Sequence, residues 1–313
     1  MKGKLLQNKI AESKLTLPVT LVYAIVIWLL AGVLEEWWWL QFGCFILSAL
    51  LMMQLNNIHA LIRIYSRLVS CSFLLLACCA SYLFPNIQSA IVQVCIISAW
   101  LLLFYSYQDK EATGWVFYAF VCIGLASIVF QQILFFLPMV WFLMAYNLQS
   151  LSWRTFLASL LGVTLPYWLA FCWFLLQNDI GTLLGHFEAL ADFCQPTDFS
   201  SFSDSETITL VILCLLVITG IIHCFRQKSG DKIRTRQFFG FFSWMSLFSI
   251  LFIVLQPEQS KALMPILIVN ASPLAGHFFA LTHTKITNIA FCITTATILL
   301  ITIFNLWHTS FLF

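Results

Sequence analysis

Long apolar runs interrupted by a few polar residues recur along the whole chain. A helix crossing about 30 Å of hydrocarbon needs about 20 mostly apolar residues. That ruler predicts eleven spans, centred near Ile25, Leu47, Leu76, Ser98, Ile123, Val140, Thr164, Leu216, Leu247, Ile268 and Ala296. The pattern is that of an all-α, polytopic transmembrane helical bundle. Residues 1–313 form a single integral membrane domain, because no segment between the spans is long enough to bury a core of its own.

The division between the fifth and sixth spans is the least marked, since Trp115 to Asn147 is almost continuously apolar and only Gln131-Gln132 interrupts it. One straight helix of that length would measure about 50 Å, so a tight hairpin at the glutamines is expected. The longest polar stretch is an outer loop over residues 178–207. Within it Ile180, Leu183, Leu184, Phe187, Leu190 and Cys194 recur at helical spacing. That spacing predicts an interfacial helix over about 180–194, followed by a loop rich in Ser and Asp.

Composition agrees with the pattern. The chain is 61% hydrophobic and 9% charged, with a mean hydropathy of +0.94; an average soluble domain is about 25% charged. The 11 cysteines lie scattered in apolar segments, without the spacings of a zinc site, and read as small core hydrophobes. The basic residues up to Lys14 and the apolar run from Leu17 to Leu34 have the order of a signal peptide. The run ends in Leu34-Glu35-Glu36-Trp37 instead of a small-x-small site, so it is expected to be an uncleaved first span.

Charge arbitrates the topology. With the N-terminus inside and the C-terminus outside, 14 of the 15 basic residues fall in inner loops and only Lys261 lies outside, as the positive-inside rule demands. Merging the fifth and sixth spans would carry Arg154 and everything from Arg226 to Arg236 outside, so the split is preferred. The expected location is the bacterial inner (cytoplasmic) membrane. The inner loop carrying Arg226, Lys228, Lys232, Arg234 and Arg236 either attracts anionic lipid headgroups or simply enforces orientation. The expected partners are the lipid bilayer and other membrane proteins, with no nucleic acid.

Candidate chemistry is sparse. Glu35 and Glu36 follow the first span beside three tryptophans, where a carboxylate could act as a general base or hold a divalent metal over a lipid-linked substrate. They could equally mark the helix end and its aromatic belt. The tenth span holds Pro265, Asn270, Ser272, Pro273, Gly276 and His277. Asn270 and His277, seven residues apart, share one face and could line a substrate path; the alternative is a small-x-x-x-small packing face at Ser272 and Gly276. His59, His223, His283 and His308 lie near span ends and read as interfacial residues. Nucleophile elbows, phosphate-cradling glycine loops and the H-E-x-x-H motif are absent.

The stretch Tyr118-Ala-Phe-Val-Cys-Ile-Gly-Leu-Ala-Ser, then Ile133-Leu-Phe-Phe-Leu-Pro, then Ser152-Trp-Arg-Thr-Phe-Leu-Ala-Ser-Leu-Leu-Gly-Val-Thr-Leu-Pro-Tyr resembles an uncharacterised multi-pass inner-membrane family of Bacteroidetes-type bacteria. Ala262-Leu-Met-Pro-Ile through Pro273 fits the same family's closing pattern. The order of these motifs is also similar to the middle of GT-C glycosyltransferases, which move sugars from polyprenyl-phosphate carriers. That likeness implies a GT-C-like bundle with the catalytic acid after the first span, at Glu35 or Glu36, a polyprenyl-linked substrate and a divalent metal. The chain departs from those enzymes in lacking a long folded first outer loop and in having Lys261 as its one outer cation. Proteins of this kind are sometimes labelled carotene-cleaving oxygenases, but the histidine set of their iron site is not found here. Outside the transferase reading no cofactor is evident. The sequence is thus read first as an envelope component packing against partner membrane proteins. The alternatives are a GT-C-like transferase at the outer face and a small-molecule carrier using the tenth span.

Overall fold

A computed structural model describes residues 5–188, 190, 199, 202–227 and 230–310, and these are helical with no strand among them. Thirteen α-helices follow in order: α1 (Leu6–Glu12), α2 (Thr16–Leu30), α3 (Trp39–His59), α4 (Leu68–Cys79), α5 (Ile87–Leu103), α6 (Thr113–Val129), α7 (Leu137–Tyr146), α8 (Trp153–Leu176), α9 (Ile180–Glu188), α10 (Asp204–Arg226), α11 (Ile233–Leu255), α12 (Ser260–Leu281) and α13 (Lys285–Ser310). Each of the eleven expected centres falls inside a helix.

Seven of the described helices, α3, α5, α8 and α10 to α13, are long and apolar enough to cross a membrane, and α1 with α2 makes an eighth if the bent pair is one span. The remaining apolar segments, Leu68–Cys79, Thr113–Val129 and Gln131–Tyr146, are shorter. At about 1.5 Å per residue the twelve residues of α4 reach only about 18 Å. Seven full-length crossings therefore stand beside the eleven expected. This is the helical, apolar build of a multi-pass membrane protein.

Two details of the first span differ from the sequence reading. The helix stops at Leu30, because Gly32 takes a φ of 93° and starts a run of turns through Trp38. The basic N-terminal stretch also forms α1, which meets α2 at 91°.

Within Trp115 to Asn147 the chain breaks at Phe130 and turns back through a 3-10 segment over Gln131–Phe136 instead of a tight turn at the glutamines, and its two arms are among the shorter apolar helices. Its return is fixed by the Gln108 N–H, which donates to the Leu148 carbonyl at 2.8 Å and brings the start of α6 beside the end of α7. A hydrogen-bonded web joins further helix ends at the same face. Arg234 at the start of α11 donates to His59 Nδ1 (3.3 Å), and His59 Nε2 lies 3.0 Å from the Leu101 carbonyl on α5. Asn147 donates to the Gln237 carbonyl (3.1 Å), and Arg63 to that of Gly230 (3.0 Å). The inner loops of the sequence reading, with their basic residues, thus gather at one end of the bundle. At the other end Asn305, late in α13, donates to the Cys79 carbonyl at 2.6 Å, and the Ser89 hydroxyl donates to the Lys261 carbonyl.

The core is organised around α12. Every residue of this helix except Lys261 and Phe278 is buried, and α4, α5, α10 and α11 pack around it. Close approach to α4 depends on Gly276, where a Cβ would come within 2.8 Å of Val69 Cα. Enclosure by protein is what allows Asn270, Ser272 and His277, all fully buried, to lie on a helix at this depth. A second close pair joins α6 and α8: Gly124 meets the Val163 carbonyl and Gly162 meets that of Phe117, both nearer than a side chain would permit.

Candidate functional site

The loop between α10 and α11 folds inward at the basic face. Asp231 sits just before the first turn of α11, and His277 lies one turn from the end of α12. Helix N-termini favour anions, so the start of α11 suits the Asp231 carboxylate. His277 Nε2 lies 3.1 Å from Asp231 Oδ2, and the two side chains are 1% and 5% exposed. An ionised carboxylate only accepts, so Nε2 carries the proton and donates. Nδ1 then faces Cys224 Sγ at 3.8 Å. The Phe239 ring packs 4.2 Å from the imidazole, and the ring of His223 lies 5.3 Å away.

Burial on its own would raise the Asp231 carboxyl. The hydrogen bond and charge of His277, together with Arg63 and His223, outweigh it and hold the group below its ordinary value of 3.8. Among the described residues only one carboxylate oxygen is used: Asp231 Oδ1 is buried without a hydrogen-bond partner, as is His223 Nε2. Asp231, His277 and Cys224 line a cavity of about 190 Å³ whose other walls include Phe225, Trp244 and Leu247, with Arg236 and Ser243 as further polar members.

A thiol, an imidazole and a carboxylate in series form the order used in nucleophilic catalysis. Here, however, Cys224 lies two residues from the carbonyl end of α10, whereas reactive thiolates are typically found at helix N-termini or beside cations. No three His, Cys, Asp or Glu side chains converge as metal ligands among the described residues.

Of the residues singled out in the sequence, His277 lies in this cavity. Asn270 lies two turns away on α12, where its amide donates to the Ile266 carbonyl at 2.8 Å and its Oδ1 is buried without a partner; it does not line the cavity. Glu35 and Glu36 are exposed in the turn after α2 and do not line the cavity. In the basic loop, Arg226 and Lys232 are exposed, and Arg234 lies over the rings of Tyr107 and Phe238. Arg236 lines the cavity, and Lys228 lies outside the described residues. The amphipathic α9 packs on α8 through Phe187 and Tyr167 (5.2 Å). The helix ends at Glu188 with Leu190 in a turn, and residues 191–194 of the expected interfacial helix, with Cys194, are again outside the described residues.

Asp231 carries no signal in the sequence, because it stands alone among cations there and its partner is 46 residues away. His59 and His223, read as interfacial, are buried. The polar partners of His59, the Leu101 carbonyl and Arg234, come from other helices, which the sequence does not bring together. No family model matches the chain, and no curated protein or solved structure shows significant similarity to it.

Proposed function

We propose that this protein is a multi-pass component of the bacterial cytoplasmic membrane, with its basic face in the cytoplasm, that binds a small molecule in the cavity beside His277 and Asp231. This reading belongs with the carrier class. It rests on one observation: Asp231 lines the cavity, and its second carboxylate oxygen, Oδ1, has no hydrogen-bond partner among the described residues. Leaving such an acceptor unsatisfied costs about 1–3 kcal/mol, more for a charged group, so a ligand with a hydrogen-bond donor or a cationic head gains by filling the place. The Phe225, Trp244 and Leu247 walls suit an apolar body on that ligand. Ligand binding and proton binding compete at the same carboxylate, which makes occupancy dependent on pH.

The orientation follows from the gathering of cations at one end. Eleven crossings, with the N-terminus inside and the C-terminus outside, fit the eleven apolar segments if the three shorter ones also enter the bilayer. Exposed Arg226 and Lys232 then stand where anionic headgroups are met.

The test is a thermal-shift screen of small amines, amino acids and zwitterions on the purified protein. A hit should raise the unfolding temperature of the wild type and leave Ser243→Trp, which fills the cavity, and Asp231→Asn unmoved. A hit that stabilises all three proteins equally would remove the cavity from the reading.

A further inference from the structure

A larger concavity lies on another flank of the molecule. Helices α2 and α13 stand apart with α4 as the floor between them, and α1, turned 91° from α2, crosses the basic end as a roof. The open groove holds about 850 Å³, and its surface is almost wholly apolar: Val19 and Tyr23 come from α2, Ser72 and Leu75 from α4, Thr295 and Leu299 from α13.

Its dimensions match one leaflet. From Thr16 to Tyr23 along α2 is about 10 Å, and from Phe291 to Leu299 along α13 about 12 Å, at 1.5 Å per residue; half of a hydrocarbon core is about 15 Å. The groove therefore starts at the level of α1 and ends near the bilayer midplane. Charge is confined to its mouth. Lys9 of α1, the one charged residue of the lining, lies at that end, and Lys14 in the bend before α2 is exposed, as is Glu12 on α1. Gln7 fixes α1 in place by bonding to Asn288, Phe279 and Thr282, so the roof and its lysine are part of the bundle.

We infer that this groove is a binding site for an anionic phospholipid of the basic-side leaflet, with its acyl chains between α2 and α13 and its phosphate at Lys9. A polar headgroup meets the cations at the interface while its tails replace the lining's contact with bulk lipid. This site is separate from the His277 cavity and stands whether or not that cavity binds a ligand.

The experiment uses the full chain in nanodiscs of equal phosphatidylglycerol and phosphatidylethanolamine, followed by native mass spectrometry of the released protein. The wild type should retain phosphatidylglycerol in preference to phosphatidylethanolamine. Lys9→Glu should lower that retention about fivefold or more, and Ser72→Trp, which fills the groove from its floor, should abolish it. Thr295→Trp fills the groove from its wall and serves if Ser72→Trp does not fold. Equal retention of the two lipids, or retention unchanged by Lys9→Glu or by the filling variants, would overturn the assignment. A dimer lost on filling the groove would show that a second copy of the chain occupies it, and would also overturn the lipid.

Discussion

The side-chain amide of Gln7 donates to the carbonyl of Phe279 at 2.6 Å, joining the first helix to the last turn of α12 across 272 residues. The last four carbonyls of a helix have no partner within it. Gln7 supplies one from α1, and a further bond from the same nitrogen to the Thr282 hydroxyl, at 2.7 Å, completes the cap. Gln7 is itself fully buried. Replacing it by Ala leaves the Phe279 carbonyl unsatisfied and should cost about 1–3 kcal/mol. A lowered unfolding temperature in detergent, together with faster hydrogen exchange over α1 and the start of α13, is the expected result.

Asp231 ties stability to acidity. Its folded-state carboxyl titrates below the ordinary 3.8, so the folded protein holds fewer protons there than the unfolded one. The stabilisation is fully present above 3.8 and is lost as the pH falls through the lower folded value. Asp231→Asn should be less stable than the wild type at neutral pH, and the gap should narrow below pH 3.8. Unfolding curves of both proteins over an acid series measure it.

Gly162 and Gly43 offer a matched pair. A Cβ on Gly162 would lie 2.6 Å from the Phe117 carbonyl oxygen, whereas one on Gly43 would meet nothing within 4 Å. Gly162→Ala should therefore separate α6 from α8 and destabilise by about 1–3 kcal/mol. Gly43→Ala, inside α3, should be neutral or stabilising by up to about 1 kcal/mol. Thermal unfolding of the two variants side by side tests whether backbone contact between α6 and α8 matters.

Orientation is open to a direct measurement. Alkaline phosphatase fused after Glu36 should be active, and fusions after Lys110 or Gly230 should be inactive, with the reverse for green fluorescent protein. Activity at Gly230 would place the Arg226 to Arg236 segment outside and invert the assignment.

Apolar run length and charge placement made much of this architecture legible. Leu47, Leu216 and Ala296 each mark a long lipid-suited helix, and the positions of Lys110 and Arg154 required the reversal that the Gln108 to Leu148 hydrogen bond fixes. Crossing length was less legible, because α4 continues as an apolar sequence past the point where its helix gives way to a 3-10 turn at Ser81–Leu83. The bend at Ser13 was also hidden, since α1 is only seven residues long and its position is set by Gln7 reaching α12 and α13. Within the site, His277 stood out as a polar residue in an apolar run. Asp231 and Cys224 do not, and His223 reads only as interfacial, because what distinguishes them is a meeting of α10, α11 and α12 that no local pattern encodes.

The enclosure of α12 bears on how the protein is made. Its best window has a mean hydropathy of 1.5, against 2.7 for α10, and it carries Asn270, His277 and two prolines into the bilayer. Alone in lipid such a segment would be a poor tenant, with its polar groups facing acyl chains. The helices that shelter it, α4, α5, α10 and α11, all precede it in the chain, so its shelter is already synthesised when it leaves the ribosome. The order of helices along the chain thus doubles as an assembly schedule.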